Sequence, residues 1–183
     1  GGTPSIAMST GGTATFLSGS TTSALRFRYT VSDGEDTTDL DTSGTISLNS
    51  GTIKDFAGND APTVLVTGAG NAGSLANDAD IIIDTTHPTT TDVTTATGDG
   101  TYMDGEAFTF TVTLDEAVDV VTGGGTPTFD LDSGGTATYS GGTGTTSLTF
   151  TYTVADGESS ADLDTTGTIS LNGGTMLDTA ENA

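Results

Sequence analysis

Carboxylates are the residues of this 183-residue chain whose number and spacing bear on chemistry. There are 20 Asp and 5 Glu against 3 Lys and Arg, for a net charge of -22. Two groupings stand out. Asp33-Gly34-Glu35, Asp39 and Asp41 fall within nine residues, and the pattern returns at Asp156-Gly157-Glu158, Asp162 and Asp164. A second set gathers mid-chain, with Asp84, then Asp99, Asp104 and Glu106, then Asp115-Glu116. Ca²⁺ takes six to eight hard oxygens from carboxylates, carbonyls and water, so both groupings are candidate calcium sites. Neither has the spacing of an EF-hand loop, and the Gly-Gly-x-Gly-x-Asp nonapeptide of β-rolls is absent. The competing reading of each is a solvated acidic surface that keeps the protein soluble.

Other chemistries find less to work with. His87 stands alone beside Pro88, so a serine-type triad has one base, placed in a polar connector. Glycosidase acid pairs need an apolar cleft to separate their pKa values, and the chain has no Trp for a sugar platform. We expect no enzyme. Without Cys there is no disulfide and no thiolate zinc site. Three cations cannot neutralise a phosphate backbone, which argues against nucleic acid. The run Ile81-Ile82-Ile83 is far short of the roughly 20 apolar residues of a membrane span.

Low hydrophobicity with high net charge is the composition of disorder, but here the apolar residues are patterned. Phe108, Phe110, Val112 and Leu114 alternate with Thr109, Thr111 and Thr113. Leu148, Phe150, Tyr152 and Val154 alternate with Thr149, Thr151 and Thr153. Period-two alternation of β-branched and aromatic residues predicts half-buried strands, and no stretch carries helical spacing. The chain is read as all-β, with Leu25, Phe27, Tyr29 and Val31 as a further inward row. The outward threonines form an array able to order water or simply to be the wet face of a sheet. In the first copy Arg26 and Arg28 take two of those outward places.

Residues 1–60 align without a gap on 124–183, an offset of 123, with 34 identities. Gly1-Gly2-Thr3-Pro4 falls on Gly124-Gly125-Thr126-Pro127, and Gly44-Thr45-Ile46-Ser47-Leu48-Asn49 on Gly167-Thr168-Ile169-Ser170-Leu171-Asn172. The polar run ending in Pro88 reads as a linker at 85–88. It separates a first domain, 1–84, lacking its N-terminal strands, from a second, 89–183, lacking its C-terminal strands. Strand candidates in the first domain's tail are 63–67 and 81–84. With its opening Gly1-Gly2-Thr3, the chain is expected to be an internal window on a tandem array. A sandwich short of a strand presents an open edge, to be closed by neighbouring sequence or by another copy.

The ordered set Ile83-Asp84-Thr85-Thr86-His87-Pro88, Gly100-Thr101-Tyr102, Phe108-Thr109-Phe110-Thr111-Val112, Asp115-Glu116-Ala117-Val118, Gly125-Thr126-Pro127, Ala137-Thr138-Tyr139 and Ala57-Gly58-Asn59 resembles the bacterial immunoglobulin-like repeats of giant secreted surface proteins and adhesins. The resemblance spans essentially the whole chain. It implies tandem immunoglobulin-like, Greek-key β-sandwiches of seven to nine strands, displayed outside the cell as a stalk or filament. It further implies Ca²⁺ at the junctions, with Asp84, Asp99 and Glu116 as ligands. Neighbouring copies of the repeat are the expected partners, by donation of the strand that the open edge lacks. The alternative it leaves open is an adhesin module of the same fold that binds carbohydrate or ice. His87 and Glu181-Asn182 depart from the pattern, and the turn near residue 181 is expected to differ from its counterpart at Gly58-Asn59.

Overall fold

A computed structural model describes residues 2–183 and divides the chain into two compact units, Gly1–Thr86 and His87–Ala183. The division falls inside the linker expected at 85–88. In the first unit β1 (Ser5–Met8), β2 (Thr13–Ser18), β3 (Arg26–Arg28) and β4 (Thr42–Ser47) form an antiparallel sheet in the order β3-β2-β1-β4. A single helical turn follows, α1 (Leu75–Asp78), with the Ser74 side chain accepting from Asn77 N at 3.2 Å. No described helix is long and apolar enough to cross a membrane.

The second unit holds β5 (Thr90–Thr95), β6 (Ala107–Val121), β7 (Thr128–Leu131), β8 (Thr136–Gly141), β9 (Thr145–Thr153), β10 (Thr165–Ser170) and β11 (Thr175–Leu177). Their order is β10-β7-β8-β9-β6-β11, with β5 also on β6. The 15-residue β6 carries this sheet. Its first half lies between β5 and β9, and its last residues, Asp119–Val121, pair with β11.

The 123-residue repeat is kept in the pairing. Ser5↔Thr15 and Ile6↔Ala14 reappear as Thr128↔Thr138 and Phe129↔Ala137. Thr15↔Arg28 and Phe16↔Phe27 reappear as Thr138↔Thr151 and Tyr139↔Phe150, and even the register shift that follows is copied. One device that fixes this register is an asparagine with left-handed backbone, Asn49 at φ 48° and Asn172 at φ 52°. Each amide donates across the sheet, Asn49 Nδ2 to Thr3 O (2.8 Å) and Asn172 Nδ2 to Thr126 O (2.9 Å). Asn tolerates that conformation better than other side chains.

Alternation decides what is buried. Phe108, Phe110, Val112 and Leu114 of β6, Phe129 and Leu131 of β7, and Leu148, Phe150 and Tyr152 of β9 form one core. The rings of Phe110 and Phe129 lie 5.7 Å apart although β8 and β9 separate their strands. Strands repeat at about 4.8 Å, so three spacings in a flat sheet would put β6 and β7 roughly 14 Å apart. The sheet therefore curls until its inner face packs on itself. The chain is all-β, with two antiparallel sheets consistent with a β-sandwich.

The first unit departs from several expectations. Among the described residues it has four strands, where a whole sandwich has seven to nine. The segments 63–67 and 81–84 make only single bridges, Thr45↔Val64 and Thr37↔Ile83, instead of strands. Of the inward row, Phe27 and Tyr29 are half-buried while Leu25 (37%) and Val31 (41%) remain exposed. Their counterparts are better covered: Leu148, opposite Val112 of β6 in the sheet, is fully buried and Val154 is half-buried. The first unit has a smaller core, Ile6, Met8, Ala14 and Leu40 with Phe27 and Tyr29 packed against it, and no described strand stands beside β3 as β6 stands beside β9.

This difference has a measurable consequence. Truncating a fully buried Phe costs about 3–5 kcal/mol, so Phe150→Ala should destabilise the second unit by that amount. At the equivalent half-exposed site, Phe27→Ala should cost the first unit less than half as much. Denaturant unfolding of both variants checks this, and equal losses would contradict the burial described.

Candidate metal centre

The recurring acid grouping is built into loop closure. Glu35 Oε2 accepts from Tyr29 Oη (2.7 Å) and Ser32 N (2.8 Å), and Glu158 Oε2 accepts from Tyr152 Oη (2.7 Å) and Ala155 N (2.8 Å). The tyrosine oxygens also meet Thr10 Oγ1 (2.8 Å) and Ser133 Oγ (3.1 Å). The Ala155 N–H, then the Tyr152 hydroxyl, hold the Glu158 carboxyl below its usual range. Burial, then the facing glutamate, pushes both tyrosines up.

The remaining acids of this grouping do different work. Asp41 is buried and accepts from Thr42 N (2.8 Å) and Gly68 N (2.6 Å). Burial raises its pKa, but those N–H donors outweigh burial and the net shift is downward. Asp164 Oδ1 accepts from Thr165 N (2.7 Å). Asp39 is half-buried, and Asp33, Asp156 and Asp162 are exposed. Neither copy brings three carboxylates of this grouping within 4.8 Å of one another. The spacing of these acids therefore marks two loops with the same internal bracing.

Asp99, Asp104, Glu106 and Asp115 of the mid-chain grouping join no cluster of three acids among the described residues. Asp99 and Asp104 are exposed, and the exposed Glu106 accepts from Met103 N at 2.6 Å, closing its own turn. Asp115 takes the N–H (2.7 Å) and hydroxyl (2.6 Å) of Thr89, the hydroxyl first and the N–H second lowering its pKa. Asp84, near the end of the first unit, has its carboxylate on Thr86 N (3.1 Å). His87 is exposed.

Glu116, half-buried on β6, does acquire a neighbour. Its carboxylate lies within 4.8 Å of that of Asp178, the residue that follows β11. β11 pairs with the end of β6, and this brings the two acids together from distant parts of the sequence. Asp178 is 4% exposed. Its Oδ1 accepts from Ala180 N (2.8 Å) and Asn182 N (2.9 Å), and its Oδ2 from Asn182 Nδ2 (2.9 Å). Burial alone would raise its pKa, but the Asn182 side chain and the backbone donors lower it overall. The carboxylate is thus held ionised, and its oxygens keep lone pairs beyond the three bonds they accept.

Asp178 was missed in the sequence because it lies apart from any acid run. The available signal was the repeat itself. Asp55 and Asn59 make the same loop, with Asn59 N on Asp55 Oδ1 (2.8 Å) and Asn59 Nδ2 on Asp55 Oδ2 (2.9 Å). The turn expected to differ at Glu181 is in fact the same turn. Glu181 adopts φ 70° where Gly58 has φ 89°, and each donates its N–H to the carbonyl of the loop's Asp. The closed loop holds Glu181 in a conformation that costs a side chain about 1–2 kcal/mol.

Charge supplies the remaining constraint. All three Lys and Arg residues, Arg26, Arg28 and Lys54, lie in the first unit, so the second has acids and no fixed cation. Two carboxylates brought together there repel, and a divalent cation with oxygen preference would convert that repulsion into ligation. Glu116 and Asp178 are the two second-unit residues placed to supply it. The second unit also has an open groove of about 620 Å³ lined by Tyr102, Phe108, Tyr152 and Glu158, where Asp99 and Asp162 stand at the wall. Outside the core, Thr128, Thr138, Thr151 and Thr109 stand opposite one another in a row across β7, β8, β9 and β6. No family model, curated protein or solved structure matches the chain.

The lowered pKa of Asp178 gives a pH dependence with a definite sign. A carboxyl whose folded pKa lies below its unfolded value of about 3.9 adds stability above that pH, and loses it as pH falls through the folded value. Asp178→Asn should therefore be less stable than the parent at pH 7, by about 1 kcal/mol. The gap should narrow as thermal melts are carried from pH 5 towards pH 2. A gap constant across that range would show that the ionised form has no special role.

Proposed function

We propose that this chain is a structural, non-enzymatic segment of an extracellular surface stalk or filament, made of immunoglobulin-like Greek-key repeats stiffened by Ca²⁺. The observation that carries the reading is the repeat, 34 identities in 60 residues over two units that share strand registers. A duplicated unit that keeps its hydrogen-bond pairing in both copies is selected for shape rather than for one reactive site. The acidic exterior suits a medium rich in salt, where charges more than about 8–10 Å apart are screened. Calcium supports the same reading through Glu116 and Asp178, in a unit without Lys or Arg to balance its acids.

The threonine row favours a second reading, a module of the same fold that binds carbohydrate or ice. A curled sheet offers a rigid, flat ligand only a short matching stretch, so the mechanical role comes first.

The test is a concatemer of four or more repeats, imaged by negative stain in millimolar Ca²⁺ and again in chelator. Thin particles that lengthen by a fixed increment per repeat are expected. Chelator should bend them and lower the melting temperature by several degrees, and Glu116→Gln should abolish the calcium response. The same melt on Asp84→Asn tests the further ligand that the resemblance implies. Compact globules of unchanged shape would overturn the stalk, and melting indifferent to chelator would overturn the calcium.

A further inference from the structure

The sheet of the first unit has an edge at the end away from β3. β4 pairs with β1 on one side, and on the other it meets residues 63–67 through the bridge Thr45↔Val64. Ile46 N donates to Thr63 O and Leu65 N to Gly44 O, both at 2.8 Å. Those bonds face β4, so by the alternation of an antiparallel ladder the N–H and C=O groups of Val64 and Val66 face the other way. None of the four has a hydrogen-bond partner among the described residues. The side chains are open too, Val64 at 76% and Val66 at 50%, whereas Leu65 packs against the core on the inner face.

This edge lies at the end of the sheet that β6 does not reach. In the second unit β5 and β6 stand beyond β9, and β10, the equivalent of β4 at the 123 offset, is at the opposite end. Nor is the edge blunted. Exposed edges are ordinarily guarded by charge, above all Lys, or by Pro within the strand. Residues 61–77 hold no charged side chain, and Pro62 stands before the pairing residues rather than among them. Gly68 turns the chain at φ 95° on the far side, which leaves 63–67 as the stretch able to pair.

We infer that residues 63–67 pair antiparallel with residues 63–67 of a second copy of this chain, joining two sheets edge to edge about a two-fold axis at Leu65. The sequence itself selects a second copy over an arbitrary strand, because Thr63-Val64-Leu65-Val66-Thr67 reads the same in both directions. An antiparallel partner centred on Leu65 matches it residue for residue, Thr63 with Thr67, Val64 with Val66 and Leu65 with Leu65. The free backbone groups call for the same centre. It sets Val64 opposite Val66 as the pair that exchanges both N–H···O bonds, and Leu65 opposite Leu65 as the closer pair without them. On the outer face the exposed valines of one copy then cover those of the other, as β-branched cross-strand neighbours do. A two-fold contact of this kind is self-complementary and closes at two copies. The chain carries a net charge of -22, yet this stretch sets none of its acids against those of the second copy. The inference rests on the edge alone and holds whether or not the protein is a stalk.

Sedimentation velocity of the full chain is the test. A dimer should form whose share grows with protein concentration up to about 1 mM, as expected of a contact smaller than a standard interface. Its share should also grow with added KCl, because salt screens the repulsion between two acidic chains and the contact has no ion pair to weaken. Val64→Asp with Val66→Asp should melt like the parent and stay monomeric. Since the chain has no Cys, single cysteines report register. A mixture of Val64→Cys chains with Val66→Cys chains should oxidise to a mixed disulfide, the facing Cα atoms being about 5.5 Å apart. Val64→Cys chains alone should crosslink about tenfold less, since Val64 and its own copy are diagonal neighbours roughly 7–8 Å apart. A chain monomeric at every concentration and salt, or a dimer that survives the two aspartates, overturns the inference. Crosslinking of Val64→Cys alone to the same extent as the mixture would assign another register and overturn it as well.

Discussion

Burial of one apolar face under a second layer is the interaction on which everything else here depends. The chain has few apolar residues and places them on alternate positions of a few strands. Such a row stabilises nothing until another row closes over it. In the second unit the curl of the sheet does this, with β6 extending the sheet beside β9 and bringing Phe110 to Phe129 across it. In the first unit the same residues stand in the same registers with less cover, and their exposure rises. Two copies of one repeat thus separate the effect of sequence from the effect of context.

Much of this was legible in the residues. Strict alternation in 107–114 and 147–154 marks strands without ambiguity, because period two puts all of the oily side chains on one face. The gapless alignment carries register from one unit to the other, since an insertion of one residue would invert the faces. What alternation cannot report is whether a covering strand exists. Leu25 and Val31 therefore read as core but stay about two-fifths exposed. Segments 63–67 and 81–84 read as strands and form one bridge each, to Thr45 of β4 and to Thr37.

The acids show the opposite limitation. Nearness in sequence made Asp33, Glu35, Asp39 and Asp41 look like a ligand set, yet short-range carboxylates in loops are drawn to the loops' own N–H groups. Glu35 and Glu158 are taken up by a tyrosine and a backbone amide each, and Asp41 by two amides. The pair that topology does bring together, Glu116 and Asp178, comes from distant parts of the sequence and depends on β11 docking beside the end of β6. Only the duplicated Asp-x-x-x-Asn spacing at Asp55–Asn59 and Asp178–Asn182 marked that loop in advance. The same loop geometry overrides local preference at Glu181, which accepts a backbone conformation suited to glycine.

Amide hydrogen exchange tests the central claim most directly, because it reads cover strand by strand. On β9, between β6 and β8, amides from Leu148 to Tyr152 should all exchange slowly. On the equivalent segment Leu25 to Tyr29, amides directed at β2 should be protected and the alternate ones, directed away from it, should exchange near the rate of an open chain. Uniform slow exchange in both segments, or uniform fast exchange in both, would contradict an account in which β6 alone distinguishes them.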